Sequence, residues 1–179
     1  MIICGGIGAR MGELTSSKPK SLLNFEGQPI LSHILDRISI AFGGSGEVIL
    51  TTGFGGDQIK NAYGTSYKGL TLRYAHDERQ LGTRNRLLLA KDMISGPFLF
   101  LAGDIICEPR LLCELMEAHQ QQPGTIATVG LAVDHTPAPG HGVATVDHDK
   151  HANFTFIEKR RIDSVVQDPE TQEIRMFGR

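Results

Sequence analysis

The residues best suited to chemistry lie near the start of this 179-residue chain, where glycines and cations follow a short apolar run. Gly5, Gly6 and Gly8 come first, and Arg10 and Lys20 follow them. Glycine lets the main chain adopt left-handed conformations and approach a ligand closely, so consecutive N–H groups can converge on an anion. The pattern therefore predicts a phosphate-binding loop, although a purely structural strand-to-helix turn remains an alternative.

This loop does not match the dinucleotide-binding fingerprint. The sequence Gly6-x-Gly8-x-x-Met11 lacks the third glycine of that pattern, and no helical periodicity begins there. An irregular polar loop, residues 13–23, is expected to follow.

A carboxylate, Asp104, closes a continuous apolar run at residues 97–102. Such a run is typical of a strand buried on both faces, so we expect the strand at 97–104 to be central in its sheet. Ligands of open α/β sheets bind beyond the carboxyl ends of the strands, where a carboxylate can hold Mg²⁺ together with substrate phosphates. Alternatively, Asp104 caps the following turn.

Hydrophobic periodicity predicts the elements that must position these groups. We expect an α/β fold with a doubly wound, mixed but mainly parallel sheet, because strands that alternate with helices pair through right-handed crossovers. The last helix should face inward through Leu111, Leu112, Leu115 and Met116. The expected strands are residues 1–4, 47–52, 70–74, 97–104 and 125–133, and the expected helices are residues 29–42, a short segment ending at 63, 84–94 and 110–121.

Three motifs carry a resemblance to a known family: Gly-Gly-x-Gly-x-Arg-Met at residues 5–11, then Leu14-Thr15, then Pro-Lys-x-Leu at 19–22. Together they resemble the signature of the sugar-1-phosphate nucleotidyltransferases, the nucleotide-sugar pyrophosphorylases. A mannose-1-phosphate guanylyltransferase-like member is one type that fits, and the base and the sugar stay open. The resemblance implies a Rossmann-like, GT-A-like fold and a glycine loop around a nucleoside triphosphate. It assigns catalytic charge to Arg10 and Lys20, and nucleotide contacts to Gly5, Gly6, Gly8 and Ala9.

Further motifs extend the resemblance. Leu81-Gly82-Thr83 matches the family's base-binding motif, which implies nucleotide contacts at Gly82 and Thr83, although Arg84-Asn85-Arg86 replaces the small residues that follow it in the family. Gly103-Asp104 matches the metal motif, which implies that Asp104 is catalytic and holds Mg²⁺. Asp77 could accept two N–H bonds from a guanine edge, or it could be a solvated loop residue.

The C-terminal part resembles the family's sugar-binding β-hairpin. His141-Gly142-Val143 and Phe156-x-Glu158-Lys159 occur in the family's order, which implies that Gly142, Glu158 and Lys159 bind the sugar and its phosphate. We expect one domain, 1–179, with a nucleotide-binding core at 1–120 and a sugar-binding hairpin part at 121–179. The family's second metal-binding aspartate is not recognisable after residue 160, so we expect a fragment or a shortened member.

Composition limits the class of protein and its partners. The net charge of −2 argues against a broad basic surface for nucleic acid. No apolar run approaches the roughly 20 residues that span a bilayer, and the start does not resemble a signal peptide. Three cysteines without a CxxC pair suit reduced thiols in a cytoplasmic protein. Composition does not decide whether the protein is a monomer or a homo-oligomer.

The resemblance implies an enzyme that transfers a nucleotidyl group from a nucleoside triphosphate to a sugar-1-phosphate and releases pyrophosphate. Two alternatives remain open at this point. One is transfer to a non-sugar phosphorylated acceptor, and the other is a catalytically inactive module that binds a nucleotide-sugar for regulation.

Overall fold

The structure is a computed structural model. It describes residues 1–6, 8–77, 79, 82–122, 124 and 127, together with four short strands between positions 143 and 177. For residues 9 and 10, and for those four strands, the description covers the backbone alone. The chain divides into two compact units, Met1–Val129 and Gly130–Arg179, and each is considered by itself.

The first unit alternates strands with helices. Its strands are β1 (Ile2–Ile3), β2 (Asn24–Phe25), β3 (Gln28–Pro29), β4 (Gly46–Thr52), β5 (Ser66–Tyr67), β6 (Leu70–His76) and β7 (Leu101–Ala102). Its α-helices are α1 (Ile30–Ala41), α2 (Gly56–Tyr63), α3 (Gly82–Leu89) and α4 (Pro109–Gln120). Three 3-10 helices are η1 (Ala9–Thr15), η2 (Lys20–Leu22) and η3 (Lys91–Met93).

Five of these strands form one sheet in the order β5-β6-β4-β1-β7. Strands β6, β4, β1 and β7 run parallel, and β5 adds an antiparallel edge. Ile2 pairs with Leu50 on one side and with Leu101 on the other, which sets the register of the parallel strands. The expected α/β fold with a mixed, mainly parallel sheet is confirmed.

Helices cover both faces of this sheet. Side chains alternate between the two faces of a strand, and in β4 Val48 and Leu50 join one core cluster while Ile49 joins another. The larger cluster receives the apolar sides of α1, α2 and α4, whose fully buried members include Leu31 and Leu35. The smaller one receives Ala90 and the segment after α3. Burial of each large aliphatic side chain contributes about 1.5–3 kcal/mol to stability.

The strand expected at 97–104 differs from its prediction. Regular pairing is confined to Leu101–Ala102, and among the described strands β7 lies at the edge of the sheet rather than at its centre. Phe98 and Phe100 are 46% and 40% exposed in this description. Long β4, buried over Val48–Thr52, occupies the middle position instead. Among the described strands, the middle position therefore belongs to β4 and not to the strand predicted to be central.

Several element boundaries also differ from expectation. The first strand is Ile2–Ile3, and α1 begins at Ile30 with Pro29 as its N-cap. The helix expected at 84–94 is α3 followed by the separate 3-10 turn η3. Leu111, expected to face inward, is 50% exposed.

Two short segments form regular local structures that the sequence pattern did not specify. The expected irregular loop at residues 13–23 contains the end of η1 and all of η2, whose short i→i+3 turns leave little periodic signal. The hairpin β2–β3 turns at Glu26 and Gly27, which both have positive φ values of 47° and 88°. This geometry matches a two-residue primed turn.

In the described part of the second unit, the strands form two antiparallel pairs. Strand β8 (Val143–Thr145) pairs with β9 (Thr155–Ile157), and β10 (Ser164–Gln167) pairs with β11 (Ile174–Phe177). The first pair falls where the sugar-binding hairpin was expected, but the residues that would join its strands lie outside the described residues. The hairpin therefore remains a prediction.

Among the helices that the structure describes, none has the length and apolar character needed to cross a membrane.

Candidate active site

The glycine loop and Asp104 lie at the same end of the sheet. Strands β1 and β7 are parallel neighbours, so their carboxyl ends meet, and the Gly103 amide donates to the Ile3 carbonyl at 2.9 Å. The backbone of Gly103 packs directly against Ile3 and Cys4, leaving no room for a side chain there. The acidic group therefore stands beside the start of the loop.

Lys20 reaches this acidic group from a different part of the chain. Its Nζ lies 2.6 Å from Asp104 Oδ2, a contact between residues 84 positions apart in sequence. The lysine side chain is 34% exposed and the aspartate side chain 47% exposed, so both stay open to a ligand. Pro19, fully buried against Gly55, fixes the backbone that carries Lys20.

The glycine loop is held open by its own backbone and by Thr15. Gly8 adopts a left-handed conformation with φ of 62°, where a residue with a side chain would be strained. Its carbonyl accepts hydrogen bonds from the Met11 amide at 2.7 Å and from Thr15 Oγ1 at 3.1 Å. Thr15 is buried, so within the Leu14-Thr15 motif it is Thr15 that anchors this loop.

The two adjacent glycines of the loop have different surroundings. Gly6 is exposed, and a Cβ added there would have no heavy atom within 4 Å. Gly5 is buried, and a Cβ there would lie 2.5 Å from Cζ of Arg86. Glycine at position 5 thus leaves space for the Arg86 guanidinium. From the sequence, this glycine was instead expected to contact a nucleotide.

Arg86 is the functional candidate that the sequence prediction missed. Its side chain extends from α3 to three neighbouring strand ends and is almost completely buried, at 3% exposure. It donates to the Gly5 carbonyl at 3.2 Å and the Asp77 carbonyl at 2.8 Å. It also donates to the Arg79 carbonyl at 3.0 Å and to the Thr52 carbonyl. Burial lowers the pKa of its guanidinium, but arginine remains protonated in proteins.

Asp77 is not a free base-reading group in this structure. Its carboxylate accepts hydrogen bonds from Arg79, with Nη2 of the guanidinium 2.5 Å from Oδ2 and the Arg79 amide 2.8 Å from Oδ1. These bonds hold the pKa of the Asp77 carboxyl at about 2. To contact a base, the carboxylate would have to exchange Arg79 for the ligand.

The structure gives less detail for the other predicted site residues. Gly82 begins α3 with a positive φ of 67°, and Thr83 follows it with an exposed side chain. Ala9 and Arg10 belong to the backbone of η1, and their side chains lie outside the description. The predicted sugar contacts, Gly142, Glu158 and Lys159, also lie outside the described residues.

Asp104 is the predicted metal ligand, and its surroundings can be tested against that role. Among the described residues, no group of three or more His, Cys, Asp or Glu side chains could enclose a metal ion. A half-exposed carboxylate instead suits Mg²⁺ that is held through one protein ligand, water and substrate phosphates. Such a carboxylate has enough lone pairs to bind Lys20 and a cation together. The donor set therefore fits this kind of site.

Comparison with known proteins identifies the family. The family model described as "Nucleotidyl transferase" matches residues 1–173, and this chain belongs to that family. The chain is 28% identical over 159 residues to UTP–glucose-1-phosphate uridylyltransferase AglF of Haloferax volcanii, covering 89% of this chain and 64% of that protein. It is 32% identical over 164 residues to mannose-1-phosphate guanylyltransferase catalytic subunit beta of Drosophila pseudoobscura pseudoobscura, covering 89% of this chain and 43% of the relative.

A solved structure supports the fold. A putative glucose-1-phosphate thymidylyltransferase from Bacillus anthracis, solved in complex with a sucrose, superposes with a TM-score of 0.71 at 19% identity. The match covers 99% of this chain and 70% of that structure. Because the chain spans less than two thirds of the two curated relatives' lengths, their activities enter below as proposals.

Proposed function

We propose that this chain carries the nucleotide-binding part of an enzyme that transfers a nucleotidyl group from a nucleoside triphosphate to a sugar-1-phosphate. The products would be a nucleoside-diphosphate sugar and pyrophosphate. The observation that carries the proposal is the contact of Lys20 Nζ with Asp104 Oδ2 at 2.6 Å, beside the glycine loop at the carboxyl edge of a parallel sheet. The names of the two curated relatives support a sugar-1-phosphate as the acceptor.

The reaction requires alignment of two anions more than it requires a base. The acceptor phosphate is already largely dianionic at neutral pH, because its second pKa is about 6. Its oxygen forms a bond to the α-phosphorus, and the bond from that phosphorus to the bridging β-phosphate oxygen breaks. The electron pair leaves with pyrophosphate. Positioning and charge neutralisation therefore supply most of the rate.

Each residue of the site has a role in this scheme. Backbone amides of the glycine loop would contact the phosphates, while Lys20 and Arg10 would neutralise charge on the departing pyrophosphate. Asp104 would hold Mg²⁺, which supplies Lewis-acid stabilisation of phosphate oxygens when bound. The ion pair with Lys20 holds the Asp104 carboxylate in place before the substrate enters.

The sugar side of the reaction remains a prediction. Gly142 and Glu158 are assigned to the sugar and Lys159 to its phosphate on the family resemblance alone. We further propose that the reaction takes place in the cytoplasm, where free thiols such as buried Cys4 stay reduced.

A survey of pyrophosphate release tests the proposal. The common nucleoside triphosphates would be paired with hexose-1-phosphates and with non-sugar phosphorylated alcohols, with Mg²⁺ present. The same survey would be run on the longest reading frame that contains this sequence. Release that depends on a sugar-1-phosphate supports the proposal. Release only with a non-sugar acceptor, or triphosphate binding without release in either protein, would replace it by one of the two alternatives.

A further inference from the structure

Arg86 lies where three neighbouring strands of the sheet end. Its guanidinium contacts the carbonyls of Gly5 after β1, Thr52 at the end of β4, and both Asp77 and Arg79 after β6. In sheet order these are β1, β4 and β6, which are consecutive neighbours. One side chain therefore ties together the loops that form this edge.

The contact uses the geometry particular to arginine. Nη1 donates to the Thr52 and Asp77 carbonyls, while Nη2 donates to the Gly5 and Arg79 carbonyls, so each terminal nitrogen serves two loops. Lysine has its three donors on one nitrogen and cannot span this arrangement. Methionine has a similar length but donates no hydrogen bond.

The surrounding backbone is shaped to admit this group. Side chains are missing at Gly5 and Gly53, and a Cβ at either position would collide with the guanidinium. A buried cation is costly unless it is well bonded, so four carbonyl acceptors must offset its desolvation. These acceptors lie after β1, at the end of β4 and after β6, so the hydrogen bonds that satisfy the guanidinium also fix these three segments relative to one another.

We propose that Arg86 is a positioning residue that fixes the glycine loop relative to Asp77 and Arg79, so that the triphosphate meets a preorganised pocket. The proposal rests on the proposed function, because the triphosphate is the ligand of that pocket. Preorganisation raises affinity because the loops lose less freedom when the ligand binds.

The test compares Arg86→Met and Arg86→Lys with Arg84→Met, a control that removes a nearby exposed arginine from the same helix. Steady-state kinetics with the nucleoside triphosphate and sugar-1-phosphate found active in the wild type would give KM for each and kcat. For Arg86→Met we expect KM for the triphosphate to rise at least about tenfold, while KM for the sugar-1-phosphate changes by less than about twofold. Arg86→Lys should change in the same direction, and Arg84→Met should match the wild type.

If Arg86 only stabilised the fold, its substitution would give a different result, because loss of folded protein lowers the apparent kcat and leaves both KM values unchanged. That result, or wild-type KM values in both Arg86 variants, would overturn the proposal. If Arg86→Met does not fold, Arg86→Lys decides the question by the same criteria.

Hydrogen exchange supplies a readout that does not depend on turnover. In an Arg86 variant, amides at residues 4–6 and 77–79 should exchange at least about tenfold faster than in Arg84→Met, while Ile30–Ala41 stays unchanged. Equal acceleration across all these segments would contradict a local positioning role. If the Arg86 variant shows the expected exchange pattern while the wild-type protein releases no pyrophosphate, the proposed function is refuted and the positioning role of Arg86 stands.

Discussion

Gly5→Ala adds one methyl group against the Arg86 guanidinium. The new Cβ would lie 2.5 Å from Cζ and 2.7 Å from Nη1 of Arg86, closer than real side chains approach. The adjacent Gly6 offers a matched control, because a Cβ there meets no heavy atom within 4 Å. Neither glycine is among the described residues with positive φ, so alanine adds no backbone strain at either position.

The magnitude follows from this packing. Inserting a carbon into a close-packed site typically costs about 1–3 kcal/mol, and displacing the guanidinium would also weaken its hydrogen bonds to the carbonyls. We therefore expect Gly5→Ala to lower the free energy of unfolding by at least about 2 kcal/mol. Gly6→Ala should change it by less than about 0.5 kcal/mol.

Urea denaturation of the two alanine variants measures these values, and a double-mutant cycle assigns their cause. In an Arg86→Ala background the added methyl group meets no guanidinium, so Gly5→Ala should cost at least about 1 kcal/mol less than in the wild type. Equal costs for Gly5→Ala in both backgrounds, or equal costs for Gly5→Ala and Gly6→Ala, would show that the methyl group does not meet the Arg86 guanidinium.

Two further predictions concern single groups. Burial raises the pKa of the Cys4 thiol to about 12. Iodoacetamide at pH 8 should therefore label Cys4 only after unfolding, which peptide mass mapping would show. Labelling of Cys4 at the rate of half-buried Cys107 would contradict this expectation. Arg79 holds the pKa of the Asp77 carboxyl at about 2, so any stability from that pair is present above the ordinary value of 3.8 and is lost as the pH falls toward 2. A carbon-13 titration should find this carboxyl ionised down to pH 4 and its pKa raised in Arg79→Gln; a wild-type midpoint above 4 would contradict the pairing.

The sequence was most informative where periodicity was strong. The apolar stripe that follows Pro29 predicted α1 to within a residue at each end, and the buried run at 47–52 predicted β4. Both elements lie in the core, where burial imposes a repeating pattern on the side chains. The alternation of such elements was enough to predict a mainly parallel sheet.

Prediction was poorer where structure depends on contacts distant in sequence. The apolar run that ends at Asp104 predicted a central strand, but among the described strands Leu101–Ala102 is an edge. Apolar composition reports burial and does not report which strand lies beside which. The antiparallel edge strand Ser66–Tyr67 was missed because two paired residues carry no period.

The candidate site shows the same contrast between local sequence patterns and contacts distant in sequence. Glycine spacing and the Gly-Asp ending predicted residues that the structure brings to one edge, with Lys20 and Asp104 in direct contact. The role of Arg86 could not be read from its neighbours, because the carbonyls that it binds belong to other loops. The available signal was the replacement of small residues by a basic group directly after Gly82-Thr83, close to a glycine loop.

The most direct measurement of the central claim is the rate of pyrophosphate release by Lys20→Ala and Asp104→Asn in the presence of Mg²⁺. Exposed Lys60→Ala and Asp92→Asn serve as charge-matched controls. A half-exposed ion pair contributes only about 0–1 kcal/mol to stability, so both site variants should fold. We expect each site variant to lose about 10²–10³ in rate while the controls keep the wild-type rate. If both site variants retain more than about a tenth of the wild-type rate, Lys20 and Asp104 do not form the triphosphate site.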